Sequence, residues 1–142
     1  MIATEILIAA PPERVWSVLT DFAVYPEWNP FIITAEGEPL VGQRLRATFR
    51  PPGGSAQTFK PVVLRAEAPQ ALVWRGSLPI PGLITGEHSF FLTQHGDQTR
   101  FQNSETFSGL FVPFLGKLLR QSEEGFQQMN AALKARAERR SA

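Results

Sequence analysis

The 142-residue chain contains no cysteine, which excludes disulfides, thiolate metal sites and a cysteine nucleophile. With only two histidines as well, too few ligands remain for a structural zinc site, and no metal or other cofactor is expected. An excess of charge is missing too. Fourteen Lys and Arg stand against thirteen Asp and Glu, for a formal net charge of +1, so no field exists to draw in nucleic acid. Arg136, Arg139 and Arg140 do cluster, but they read as a solvated, fraying helix end. Long hydrophobic runs are absent. The most apolar window, Phe107 to Leu119, is too short to cross a bilayer and is broken by Gly, Pro and Lys117. Glu5, Glu13 and Arg14 interrupt the opening residues, so no signal peptide is expected. Together with the absent cysteines this fits a cytoplasmic protein. Gly-rich phosphate loops, HExxH and GxSxG are likewise not found.

What is present is ordinary globular composition, 43% apolar and 19% charged. The length suits one domain over residues 1–142 with a core that needs no staples. Residues Ala3 to Ala9 alternate as an edge strand. Pro11-Pro12 stops it, and Pro12 suits the first turn of a short helix carrying Val15, Trp16, Val18 and Leu19. Phe22 to Pro30 (FAVYPEWNP) then predicts a tight turn or a second helical turn. Six extended segments follow, at 31–36, 44–50, 57–66, 71–77, 85–94 and 99–107, separated by Pro/Gly/Asn/Asp turn chemistry. Leu45, Ala47 and Phe49 alternate with polar neighbours, as a half-buried antiparallel strand does. From Val112 onward, Leu115, Leu119, Phe126, Met129 and Leu133 share one face of a long helix. The expected fold is α+β: a curved antiparallel sheet of about seven strands wrapped around the C-terminal helix, a helix-grip, with two short helices after the first strand. Such a helix either seals a core or roofs a cavity.

Several motifs resemble the START/Bet v 1-like superfamily, specifically the bacterial polyketide cyclase/dehydrase-type SRPBCC proteins. They are Ala10-Pro11-Pro12-Glu13-Arg14-Val15-Trp16, then Asp21 with Tyr25-Pro26-Glu27-Trp28-Asn29-Pro30, Leu72-Val73-Trp74-Arg75-Gly76, Gly86-Glu87-His88, and Phe107-Ser108-Gly109-Leu110. The resemblance covers nearly the whole chain. It implies a cavity between sheet and helix that takes an apolar ligand such as a lipid or polyketide, in a family that includes both enzymes and plain binders.

Strand alternation places His88, Phe90 and Leu92 on one face, and Phe101, Asn103, Glu105 and Phe107 on one face of the next strand. His88, Asn103 and Glu105 would then be polar anchors in an apolar wall formed by Trp74, Phe90, Phe101, Leu119, Phe126 and Met129. A buried carboxyl beside a histidine can do acid/base work, which makes His88 and Glu105 the catalytic candidates. The same residues also read as a structural pair, with Glu105 facing solvent at the strand end, and Trp74 as a core residue. Gly116 and Gly125 inside the long helix imply close backbone approach or a kink. The connections 78–84 (LPIPGLI) and 107–115 (FSGLFVPFL) are apolar, as an end cap or as a mouth that admits ligand or touches a membrane surface or partner. Gly82, Gly86 and Gly109 would let them move. Three functions follow: binding an apolar small molecule, a cyclase/dehydratase-type enzyme, or a peripheral lipid- or protein-interaction module.

Overall fold

The computed structural model describes residues 1–77, 84–110 and 112–139. Among the described residues, eight strands are arranged in two antiparallel sheets. This replaces the single sheet of about seven strands expected from sequence. The five-stranded sheet has the order β1 (Ile2–Ile8), β8 (Gln98–Ser108), β7 (Thr85–His95), β6 (Ala71–Ser77), β5 (Val62–Glu67), and the smaller one runs β2 (Ile32–Glu36), β3 (Arg46–Phe49), β4 (Gln57–Phe59). The extra strand arises because the extended run 57–66 is split at Lys60-Pro61. Pro61 has no N–H to give a ladder, and here the chain leaves the small sheet for the large one. The two sheets stay stitched: Leu45 N–H donates to the Pro61 carbonyl at 2.8 Å, and Val63 N–H to that of Gln43 at 2.9 Å.

Helix α1 (Pro12–Thr20) starts with Pro12 in its first turn and Glu13 beside the positive end of its dipole. It buries Val15, Val18 and Leu19. A 3-10 turn (Phe22–Val24) and the one-turn α2 (Tyr25–Trp28) follow. The Tyr25 hydroxyl is buried and donates to the Leu19 carbonyl. The long helix starts later than expected. A 3-10 turn occupies Val112–Phe114, and α3 runs Gly116–Glu138; 23 residues make a rod of about 35 Å. Arg14 of α1 donates to the carbonyls of Ala137 and Arg136. A cation thus satisfies orphan groups at the negative end of the α3 dipole. None of the helices among the described residues is long and apolar enough to cross a membrane.

Packing on α3 differs along its length. Phe126 at its middle and Met129 and Leu133 in its C-terminal half are fully buried, in one core with Leu72, Phe90, Leu92 and Phe101 of the large sheet. A Cβ on Gly125 would lie 2.4 Å from Phe31 Cδ1. The glycine therefore provides close approach: the Phe31 ring lies against the helix backbone and meets Phe126 edge-on at 5.3 Å between centroids. Beyond this ring the packing opens.

Candidate functional site

The hollow lies between the N-terminal half of α3 and the outer ends of both sheets, with a volume of about 470 Å³. Its walls come from four directions. Trp74, Gly76 and Ser77 belong to β6, Gly86 to β7 and Glu105 and Phe107 to β8, while Phe49, Gln57 and Phe59 come from the small sheet. Phe31 closes the inner end, and Leu115, Leu118, Gln121 and Ser122 form the roof. Phe31, Phe49 and Phe59 make an edge-to-face ladder at 5.5 and 5.6 Å, a preferred aromatic geometry. Strand pleating explains the one acidic residue in this lining. Glu105 shares a face with Phe101, Asn103 and Phe107 and sits opposite His88 in the register of β7 and β8.

Behind the hollow runs a buried polar chain. The Thr4 hydroxyl donates to the Asn103 carbonyl at 2.8 Å, Asn130 Nδ2 donates to Thr4 Oγ1 at 2.9 Å, and Asn103 Nδ2 donates to Asn130 Oδ1 at 3.0 Å. Asn103 Oδ1 is therefore left facing His88 Nε2 at 2.6 Å. An amide oxygen only accepts, so Nε2 carries the proton and Nδ1 presents a lone pair. That lone pair has no hydrogen-bond partner; the nearest acid atom is Glu105 Oε1, 3.7 Å away. The imidazole is clamped between Phe90 and Phe126, stacked at 4.3 and 4.7 Å.

Burial sets the charges. His88, 1% exposed, has its pKa lowered to about 4 by desolvation, with the Asn103 hydrogen bond opposing. Desolvation raises Glu105 to about 8. Near neutrality the pair is a carboxylic acid beside a neutral imidazole, not an ion pair, because a low-dielectric pocket disfavours both charges. The Glu105 side chain keeps 18% exposure, and it borders the cavity. Gly86 makes room for it: a Cβ there would lie 2.3 Å from Glu105 Oε2. The hinge expected of Gly86 is thus a matter of space for a carboxyl.

Of the residues anticipated from sequence, Trp74 and Glu105 line the cavity. His88 and Asn103, hydrogen-bonded to each other, stand behind Glu105, with His88 Nδ1 3.7 Å from its Oε1. Phe90, Phe101, Phe126 and Met129 are fully buried in the core, and Leu119 packs partly buried against that core. Sequence reasoning did not name Phe31, Phe49, Phe59, Gly86 or Ser122 as lining. Alternation did put Phe49 inward, but nothing local says that the small sheet folds over the outer half of the large one. Of the apolar connections, Ile84, Phe107 and Leu115 border the cavity; residues 78–83 and Phe111 lie outside the described residues, Gly82 among them.

A curved antiparallel layer gripping a terminal helix, with an apolar hollow between, is the architecture of the START-like, SRPBCC proteins. The chain belongs to the family described as polyketide cyclase / dehydrase and lipid transport, whose model matches residues 2–138. No curated protein is significantly similar in sequence. Among solved structures, protein MLL2253 from Mesorhizobium loti is 23% identical with a TM-score of 0.76, covering 99% of this chain and 98% of that one. A START superfamily protein from Mycobacterium smegmatis is 22% identical with a TM-score of 0.74, each chain covered over 96%. The di-domain ARO/CYC BexL from the BE-7585A biosynthetic pathway is 19% identical with a TM-score of 0.69; 98% of this chain matches 50% of that one. These likenesses extend to the fold.

Proposed function

We propose that the protein binds a hydrophobic or aromatic small molecule, lipid- or polyketide-like, between the sheets and the N-terminal half of α3. The observation that carries this reading is the 470 Å³ hollow, walled by the Phe31–Phe49–Phe59 ladder, Trp74 and Phe107, with one carboxyl at its edge. Pockets of this size, mainly apolar with few polar groups, suit small ligands: burial supplies affinity and the polar group supplies orientation. Family membership and ARO/CYC neighbours agree with it. The test is a fluorescence titration with an apolar naphthalene probe. Saturable binding is expected, weakened about tenfold by Phe59→Ala or Trp74→Ala; absence of binding would overturn the reading.

One observation favours a second reading, a cyclase/dehydratase-type enzyme. A carboxyl with its pKa raised to about 8 is protonated near neutrality yet close enough to titration to exchange its proton, which suits general acid/base catalysis. Glu105 would be the catalytic residue. His88 does not border the cavity and would act through it. Glu105→Gln should abolish turnover of a cyclisable poly-carbonyl compound while leaving binding intact; retained turnover rejects the assignment.

A further inference from the structure

The two oxygens of Glu105 face different surroundings. Oε1 is the atom 3.7 Å from His88 Nδ1, about 0.8 Å beyond ordinary hydrogen-bond length. Oε2 is turned over Gly86, itself part of the cavity lining. The Thr4–Asn130–Asn103 chain leaves His88 Nδ1 as a buried lone pair without a donor, and an orphaned buried acceptor is costly. Glu105 Oε1 is the nearest acid oxygen, and a proton there would be the donor this lone pair lacks. Of the cross-strand neighbours of Glu105, Ile2 on β1 and His88 on β7, only His88 titrates. Among the described residues lining the cavity there is no Lys, Arg or His, and Glu105 is the sole acid. A ligand carboxylate would find no counter-charge there.

Resting on the ligand-binding reading, we infer that the Glu105 carboxyl, donating its proton to His88 Nδ1, presents Oε2 to the cavity as a hydrogen-bond acceptor and so selects uncharged apolar ligands that carry a hydroxyl group. His88 is then a positioning residue: its fixed tautomer decides which oxygen keeps the proton, and hence whether the cavity offers an acceptor or a donor. Phenols, enols and alcohols match this site. Carboxylates are rejected because they would be buried without a counter-charge, and ethers have no proton to donate to Glu105 Oε2.

The test compares 2-naphthol, 2-methoxynaphthalene and 2-naphthoate by calorimetry at pH 6.5. 2-Naphthol should bind about fivefold more tightly than the ether, the worth of one neutral hydrogen bond, and at least about tenfold more tightly than the carboxylate. Glu105→Gln should keep the preference, since the amide N–H can serve His88 and its carbonyl can face the ligand. Glu105→Leu should erase it, as should Gly86→Ala, whose Cβ would displace Oε2. His88→Phe, which keeps a ring between Phe90 and Phe126, should shift the hydroxyl-to-ether ratio toward the ether as the acid proton turns to the cavity. A purely structural histidine would leave that ratio unchanged. Equal affinity for naphthol and ether in the wild type, or an undiminished preference in Glu105→Leu, overturns the inference while the binding reading stands. If none of the three probes binds, both fall.

Discussion

Replacing Glu105 by Gln should stabilise the protein above neutral pH, and the size of the effect can be worked from the buried pair. The Glu105 pKa rises from 4.5 to about 8 on folding, so the folded state holds a proton that the unfolded chain releases. Its contribution is fully present below pH 4.5 and is lost as pH rises through about 8, at a total of about 5 kcal/mol. His88 has the opposite sign: with its pKa lowered from 6.5 to about 4, its contribution is present above 6.5 and is lost as pH falls through about 4, some 3 kcal/mol in all. Between pH 4.5 and 6.5 the two slopes oppose one another and stability from the pair is flat. From pH 6.5 to 8 only Glu105 titrates, and about 2 kcal/mol disappears. For a chain of this length that lowers Tm by about 7 °C. Scanning calorimetry of wild type and Glu105→Gln from pH 4 to 9 reads the difference directly, because every other titrating group is common to both. The variant should lack the decline above pH 6.5. A parallel decline in both proteins would refute the assignment of a protonated acid to this position.

Gly125→Ala should cost about 1–3 kcal/mol in urea unfolding, because its Cβ meets the Phe31 ring at 2.4 Å. Asn103→Ala should cost about 2–4 kcal/mol by the same measurement: it strips partners from both His88 Nε2 and Asn130 within the core. Phe126→Ala should lower stability by about 3–5 kcal/mol as a core truncation, whereas Phe59→Ala should weaken naphthalene binding with a small change in Tm, since Phe59 is half-buried at the cavity wall. Equal loss of stability in the two variants would contradict the division of α3 into a sealed half and a roofing half.

Much of the site was legible one strand at a time. The period of two placed His88 with Phe90, and Asn103 with Glu105 and Phe107, and the pairing of β7 with β8 brings these faces together. What alternation could not give was depth. Phe90, Phe101 and Glu105 point the same way, yet only Glu105 reaches the hollow, because Phe126 and Met129 fill the space beside the first two. The small sheet was equally hidden: Gln57 to Ala66 reads as one extended run, and only the switch of pairing partner at Pro61 shows it serving two sheets.

Local chemistry therefore decided the elements of this protein, and their inward faces, because hydrophobic period and proline placement act within a few residues. Packing alone decided that one half of the last helix is solid and the other hollow, since that depends on Phe31 lodging against Gly125 from a segment some ninety positions away. The charge state of Glu105 belongs to the same level: a carboxyl is an anion in any short peptide, and becomes an acid only where folding removes its water.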